Sequence, residues 1–512
     1  MSRKKNSIYN LFWGIAGNII TTIIAILIPR LFILNYGSEI NGLLASVRQI
    51  YVYLALLEAG VGEASIVALY GPIAKNDRES INSILAATDY YYKKIGCIYL
   101  LGVIGLGMVY PLFLNTDISY HISCSIIILQ GMGGVINYLF QGKYNMLLRV
   151  DNRNYVTTNL RTITSILIDG CRIVLLLSGH SIIAVQATYL FFNIVKMIYV
   201  SWYMKRNYKW IDLNVSPNFK AISQKNSVII HQISALIFGN TDVLILTFVC
   251  GLKTVSIYTM YASFFSMVNN IITIIANSVS SALGQVFNSD REKYKDIQET
   301  YETYYLALVF ILFTITVIFI LPFLKLYTAG ADINYIDFKL PWLFVIYQLL
   351  NYGRNSSAQI IGFAGHYKQT QIKAVIEAVI NLAVSFASVF RWGIYGVLIG
   401  TIIALLFRAN DMILYANMKI MKRSPWPTYR RWLICFGIFL VCVMVFMNLP
   451  LTIVSYSSLI KYAIIESVII CILFFGILSI VERDARKVAI SYIEPIMSNL
   501  WKKIHDRTSV SK

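Results

Sequence analysis

Residues 29–73 read PRLFILNYGSEINGLLASVRQIYVYLALLEAGVGEASIVALYGPI, and this stretch decides the fold class of the chain. Two long apolar runs are joined by the polar turn LNYGSEING at 34–42, and charged residues are sparse in both runs. A helix that crosses a bilayer needs about 20 predominantly apolar residues. The stretch therefore predicts two membrane-spanning helices connected by a short turn.

The rest of the chain has the same character. Its 512 residues are 57% hydrophobic and only 13% charged, and the mean hydropathy is +0.64. Soluble domains carry about 25% charged residues, so this composition indicates a membrane protein. The formal net charge of +19 would suggest nucleic-acid binding in a soluble protein. That function needs a solvated basic surface, which such an apolar composition excludes.

The apolar runs predict an all-α integral membrane protein with about fourteen transmembrane helices. The predicted helices lie at residues 8–34, 43–71, 95–114, 122–147, 157–177, 182–203, 227–249, 256–287, 304–327, 338–363, 374–390, 394–418, 433–449 and 462–481.

The distribution of basic residues predicts the orientation of these helices. Lys and Arg concentrate in short cytoplasmic loops. With the N-terminus placed in the cytoplasm, the cytoplasmic segments hold about 31 of the 44 basic residues, and the external loops hold few. A missing or extra helix would destroy this alternation. We therefore expect both chain ends to be cytoplasmic.

Internal duplication is indicated by two short turns around a glycine, at 34–42 and 249–256, which lie six predicted helices apart. Two six-helix lobes of this kind would hold a binding site between them near the middle of the membrane. The predicted organisation is an N-terminal lobe at 1–204, a cytoplasmic linker at 205–226, a C-terminal lobe at 227–419, two further helices at 420–481 and an amphipathic cytoplasmic tail at 482–512.

Four basic residues inside the predicted spans have no acidic residue three or four positions away: Arg30, Arg48, Lys143 and Arg354. A cation is costly inside a bilayer unless it faces a partner or a water-filled cavity. We therefore predict that these four residues line a hydrated cavity and bind an anionic substrate. Guanidinium groups suit phosphate because they donate paired hydrogen bonds. The alternative is pairing between helices, with Glu58, Glu63, Asp242 or Glu377 as partners.

Other charges in the spans have local explanations. Arg172 follows Asp169 by three residues and Arg408 precedes Asp411 by three, so both pairs are predicted to be structural ion pairs. Arg161 is expected to extend towards the inner membrane surface, and Lys196 to do so less easily. Asp242 and Glu58 are candidates for ion coupling or for pairing with a cavity arginine.

Seven cysteines and five histidines are scattered along the chain, without a CxxC pair or ligand spacing. We therefore expect no disulfide framework, no metal site and no cofactor. The sequence contains no P-loop and no nucleophile elbow, and its external loops are too short to carry a catalytic domain. We therefore expect that the chain is not an enzyme.

Two segments resemble bacterial polysaccharide exporters of the Wzx type, which flip lipid-linked oligosaccharide units. These segments are residues 29–73, quoted above, and residues 240–261, NTDVLILTFVCGLKTVSIYTMY. The second pattern is shared more loosely with the multidrug (MATE-type) exporters and the lipid II flippase. The resemblance implies two six-helix lobes, a central cationic cavity, and alternation between inward-open and outward-open states in the bacterial cytoplasmic membrane.

The cargo that the resemblance implies is an oligosaccharide linked to undecaprenyl pyrophosphate, used for O-antigen or capsule biosynthesis, with other polysaccharide assembly proteins as possible partners. The lipid II flippase carries cavity arginines on helices 1, 2 and 8. Arg30 and Arg48 occupy the first two of these helices. Predicted helix 8 has no basic residue before Arg291, and we expect Arg354 on helix 10 to substitute.

Two other functions remain open at this point. A cation-coupled multidrug exporter would need a pocket rich in carboxylates, which the sequence does not provide. A membrane polymerase or ligase that acts on lipid-linked glycan would need a sizeable external loop with catalytic groups.

Overall fold

The structure, a computed structural model, describes the backbone of residues 3–58, 60–222, 226–449, 452–492 and 494. Side chains are described for residues 24, 26–58, 60–222, 236–449, 452–492 and 494. The described chain is helical and contains no strand. The predicted all-α class is therefore confirmed.

Sixteen α-helices follow one another in the described residues, and short 3₁₀ and π turns join some of them. They are α1 Arg3–Leu54, α2 Val61–Ala74, α3 Arg78–Val109, α4 Tyr120–Ile136, α5 Gly142–Val150, α6 Asn154–Leu177, α7 Ile182–Asn207, α8 Asn226–Cys250, α9 Leu252–Ser289, α10 Arg291–Tyr327, α11 Leu340–Gly353, α12 Asn355–Phe363, α13 Tyr367–Trp392, α14 Ile394–Leu414, α15 Trp426–Met447 and α16 Tyr456–Val481.

Ten helical segments of the described chain are long and apolar enough to cross a membrane, and two shorter apolar helices lie at Val61–Ala74 and Leu236–Cys250. A multi-pass membrane protein is therefore confirmed, while the count of fourteen spans stays a prediction. The helix α6 is not among the ten, although its 24 residues would reach about 36 Å. Its sequence contains Arg161, Asp169 and Arg172, which lower its hydropathy.

The first helix is interrupted at Gly37, whose φ of 83° and ψ of 170° lie outside the helical range. This positive φ favours glycine because a side chain would clash with the backbone. The interruption falls in the predicted turn 34–42. A Cβ atom added at nearby Gly42 would lie 2.0 Å from the carbonyl oxygen of Leu252. Glycine at 42 therefore allows α1 to approach the start of α9 closely.

The chain divides into two compact units. The first unit consists of Met1–Met260, Gly330–Asn334 and Ser385–Val397, and the second consists of Tyr261–Ala329, Tyr335–Val384 and Leu398–Lys512. The predicted lobe boundaries at 204 and 227 stay predictions.

Each unit has its own apolar core. In the first unit a cluster of buried side chains from α1, α3 and α4 includes Leu43, Val47, Val103 and Ile126. In the second unit α10 is the most enclosed span, with 61% of its most apolar window buried. Because lipid covers the outside of such a protein, many apolar side chains remain exposed in the structure without forming a defect.

The predicted amphipathic tail at 482–512 lies partly outside the described residues. Residues 483–492 are helical. Glu482, which precedes this segment, is buried and belongs to an ion-pair cluster described below.

Candidate functional site

A chain of alternating charges lies within the second unit. Nη1 of Arg354 is 2.7 Å from Oε1 of Glu377, and Nε of Arg408 is 3.4 Å from the other oxygen of the same carboxylate. Nη1 of Arg408 is 2.6 Å from Oδ2 of Asp411, as expected for residues three apart on α14. Nζ of Lys373 lies 3.9 Å from Oδ1 of Asp411. Three cations therefore face two carboxylates.

Arg354 occupies the break between α11 and α12. It follows Gly353, the last residue of α11, and precedes Asn355, the first residue of α12. The side chain is 13% exposed, and Nη2 donates a hydrogen bond to Oδ1 of Asn351 at 3.2 Å. Glu377 lies on α13, so the structure places Arg354 in the interhelical pairing that the sequence left open as an alternative.

A cavity of about 290 Å³ opens beside Arg354. Its polar lining comes from α9, α11 and α12: Thr273, Asn277, Asn351, Tyr352, Arg354 and Asn355. Amide and hydroxyl groups both donate and accept hydrogen bonds, as sugar hydroxyls do. The cavity therefore offers one restrained cation among neutral polar groups, which suits a polar and largely uncharged ligand.

Lys143 lies in a second charge cluster, in the first unit. Its Nζ is 2.5 Å from Oδ1 of Asp89, and Nζ of Lys93 is 2.8 Å from Oδ2 of the same residue. Asp89 was not among the acids considered as partners from the sequence. The predicted span began at residue 95, whereas α3 begins at Arg78, and so Asp89 was assigned to a loop.

The two acidic candidates of the first unit contact tyrosines. Glu58 ends the 3₁₀ turn that follows α1, and it accepts a hydrogen bond from the hydroxyl of Tyr92. Asp242 on α8 is 6% exposed, and its Oδ2 accepts a hydrogen bond from the hydroxyl of Tyr258 at 3.1 Å. Among the described residues, Glu58 forms no ion pair with Arg48 or Lys143.

Arg48 lies on α1 beyond the break at Gly37, and its side chain is exposed. It is close enough to Asp169 and Arg172 to interact with both charges. Nη1 of Arg172 is 3.7 Å from Oδ1 of Asp169, and Nη2 donates to Oε1 of Gln186 at 3.2 Å. Among the described residues no hydrogen bond or ion pair within 4 Å engages the Arg48 guanidinium. Arg30, also on α1, is partly buried.

A further buried cluster was missed by the sequence reasoning. Arg431 on α15 is 2% exposed, and it lies 3.6 Å from Glu302 on α10 and 3.3 Å from Glu482. Arg423 pairs with Glu299 at 2.8 Å. Both arginines lie in the predicted cytoplasmic segment between residues 418 and 433, where basic residues serve only to orient the helices. The acids Glu299 and Glu302 three residues apart were a local signal, but α10 was predicted to begin only at 304.

No model of a known protein family matches the sequence, and no curated protein matches it. Solved structures do resemble it. One is the lipid II flippase MurJ in an inward closed conformation, with a TM-score of 0.66 and 14% sequence identity, covering 91% of this chain and 98% of that chain. Another is an inward-facing MATE-family multidrug resistance transporter of the MOP superfamily, with a TM-score of 0.60 and 16% identity, covering 78% and 95%.

A third similar structure is a MOP superfamily transporter from Pyrococcus furiosus, described as having a binding pocket of reverse polarity. It has a TM-score of 0.51 and 15% identity, and the match covers 80% of this chain and 94% of that one. At these identities the likeness establishes the fold. The chain has the fold of the MOP superfamily transporters, a class of multi-pass membrane proteins.

Proposed function

We propose that this protein flips oligosaccharide units linked to undecaprenyl pyrophosphate from the cytoplasmic to the outer leaflet of the bacterial cytoplasmic membrane, by alternating access, for polysaccharide biosynthesis. The transport involves no covalent step, so the protein is not an enzyme. The proposal rests on the fold together with the charges inside the spans.

The observation that carries the proposal is the environment of Arg48. An exposed guanidinium within a membrane span cannot face lipid at reasonable cost, and so it must face water. Arg48 and Arg172 share the single carboxylate of Asp169, which leaves a cationic surplus. Such a surplus attracts an anionic group, and a planar guanidinium is well matched to phosphate oxygens.

Arg354 has a different role in this proposal. Glu377 holds its guanidinium at 2.7 Å, so Arg354 is restrained where the cavity opens. The amide side chains of Asn277, Asn351 and Asn355 surround it. These neutral groups suit sugar hydroxyls, and we assign this cavity of the second unit to the glycan.

The structural likeness extends over more of the chain for the flippase than for the multidrug transporter. The match to the lipid II flippase covers 91% of this chain, whereas the match to the inward-facing multidrug transporter covers 78%. A larger part of the chain therefore has a counterpart in the flippase.

Export of organic cations is the second candidate function, and the likeness to the MATE transporter favours it. A cationic drug needs a carboxylate that is not already neutralised. In the charge clusters described here Asp89, Asp169, Glu377 and Asp411 each have at least one basic partner. These clusters therefore favour an anionic cargo, whereas Glu58, which contacts Tyr92, forms no ion pair with a described basic residue.

Depletion of the protein in its host tests the proposal. We expect undecaprenyl-linked repeat units to accumulate on the cytoplasmic face of the membrane. Accumulation of a polymerised but unligated glycan would instead indicate a ligase or polymerase. Loss of resistance to organic cations, with normal glycan export, would indicate a multidrug exporter.

A further inference from the structure

Helix α6 carries its polar residues on one face. Thr158, Arg161, Ser165, Asp169 and Arg172 recur at helical spacing, so their side chains form a single stripe. The helix α7 packs against α6. Its partly buried Lys196 lies near enough to Arg161 for the two charges to repel each other.

The Arg161–Lys196 pair has no acidic neighbour that would explain it. In the described part of the chain, no ion pair or hydrogen bond joins either side chain to another residue, and Asp169 is engaged with Arg172. Arg161 is exposed and Lys196 is partly buried. Two neighbouring cations without a carboxylate are unfavourable in a membrane span unless they face water, and water-facing cations of this kind attract an anion. The surplus of positive charge at this pair therefore indicates an anionic ligand.

The depth of the pair argues against simple extension of both side chains to the membrane surface. Arg161 lies seven residues after the start of α6, which is about 10 Å along the axis. Lys196 lies eleven residues before the end of α7, about 16 Å from that end. This distance is about half of the 30 Å thickness of a hydrocarbon core, and it is longer than a lysine side chain can reach.

We propose that Arg161 and Lys196 form a binding site for the phosphate of a lipid headgroup, on the side of the membrane where α6 begins. Arg172 lies about 16 Å farther along the same face of α6, near Arg48. The face thus provides two cationic positions at different depths. If the protein is the flippase proposed above, on which this part of the inference rests, the pyrophosphate contacts Arg161 and Lys196 first and Arg48 and Arg172 second.

The phosphate could belong to the lipid-linked glycan or to a bulk phospholipid such as phosphatidylglycerol, and one experiment separates these sources. The purified full-length protein is placed in zwitterionic phospholipid nanodiscs, and the dissociation constant of a fluorescent undecaprenyl pyrophosphate is measured with and without added phosphatidylglycerol. The double variant Arg161→Gln/Lys196→Gln is compared with the wild type. Lys205→Gln is the matched control, because this exposed lysine lies on the same helix outside the pair.

We expect the double variant to weaken binding of undecaprenyl pyrophosphate by about tenfold or more, since each residue supplies charge-assisted hydrogen bonds. Lys205→Gln should bind as the wild type does, and Arg161→Lys, which keeps the charge, should retain most of the affinity. If added phosphatidylglycerol does not weaken the binding of undecaprenyl pyrophosphate, the phosphate at this site belongs to the lipid-linked glycan. Suppose instead that undecaprenyl pyrophosphate and phosphatidylglycerol bind with equal affinity, and that the double variant binds neither. The site then recognises the phosphate of any lipid.

The inference and the proposed function fail in different ways. Unchanged binding by the double variant overturns the site, while the flippase proposal stands if the wild type binds undecaprenyl pyrophosphate. Binding of phosphatidylglycerol alone, dependent on Arg161 and Lys196, supports the site and contradicts the proposed cargo.

Discussion

Glu377 and Arg408 are joined across two helices, with Nε of Arg408 lying 3.4 Å from Oε2 of Glu377. The other carboxylate oxygen receives Arg354 at 2.7 Å. Glu377 is therefore the only carboxylate in the described cluster that holds both a cavity residue and the ion pair of α14. Its side chain is 9% exposed, so this link lies away from water.

Replacing Glu377 should destabilise the protein. The substitution Glu377→Gln removes a negative charge that faces Arg354 and Arg408 in a buried site. Breaking a buried ion pair costs about 3 kcal/mol or more. Thermal unfolding in detergent should show a clear fall in Tm. The control is Glu292→Gln, because Glu292 pairs with Lys295 at the surface and is 84% exposed. Equal Tm values for the two variants would contradict the importance of this cluster.

Arg48→Ala should impair transport without loss of stability. The guanidinium is exposed, so its removal should change the free energy of unfolding by no more than about 0.5 kcal/mol. Export of lipid-linked repeat units at matched expression should fall by about tenfold or more, because the phosphate loses paired hydrogen bonds. Arg48→Lys should restore part of the export. Normal export by Arg48→Ala would remove this residue from the site.

The Lys143–Asp89 pair should behave as a structural unit. Lys143→Met leaves Asp89 with only the exposed Lys93 as a partner, and this variant should unfold at lower temperature. Adding Asp89→Asn should recover part of the loss. A double-mutant cycle on unfolding should yield a coupling energy of about 2 kcal/mol. Additive effects of the two substitutions would show that the pair contributes no net stability.

Asn277→Leu should weaken binding of the glycan in the cavity beside Arg354. Asn277 lines the cavity and its side chain is exposed, so the folded state should tolerate the change. Binding of the lipid-linked glycan should weaken, while binding of undecaprenyl pyrophosphate without sugars should not change. Equal weakening of both ligands would contradict the assignment of this cavity to the glycan.

Local patterns were readable from the sequence, and long-range ones were not. The spacing of Arg408 and Asp411 fixes their proximity on one helix turn, as it does for Asp169 and Arg172. Glu377 could be given only as one of four partners, because helix packing cannot be read from a single sequence. The apolar pattern predicted the helices because lipid requires long hydrogen-bonded segments.

Some charges were misinterpreted because helices extend beyond their apolar runs. The helix α3 begins at Arg78 and α10 at Arg291, each well before the predicted span. The polar N-terminal parts of these helices carry Asp89, Glu299 and Glu302, which pair with basic residues in the structure. A hydropathy argument does not detect such segments, since it records only the apolar part of a helix.

The central claim is that the protein moves an anionic lipid-linked glycan across the bilayer. The most direct measurement places the purified protein in liposomes with a fluorescent undecaprenyl-pyrophosphate-linked oligosaccharide, and follows the fraction of label that an impermeant quencher can reach. We predict that the wild-type protein equilibrates the label between leaflets and that Arg48→Ala does so much more slowly. A label that stays in its original leaflet, while the same liposomes transport an organic cation, would contradict the account.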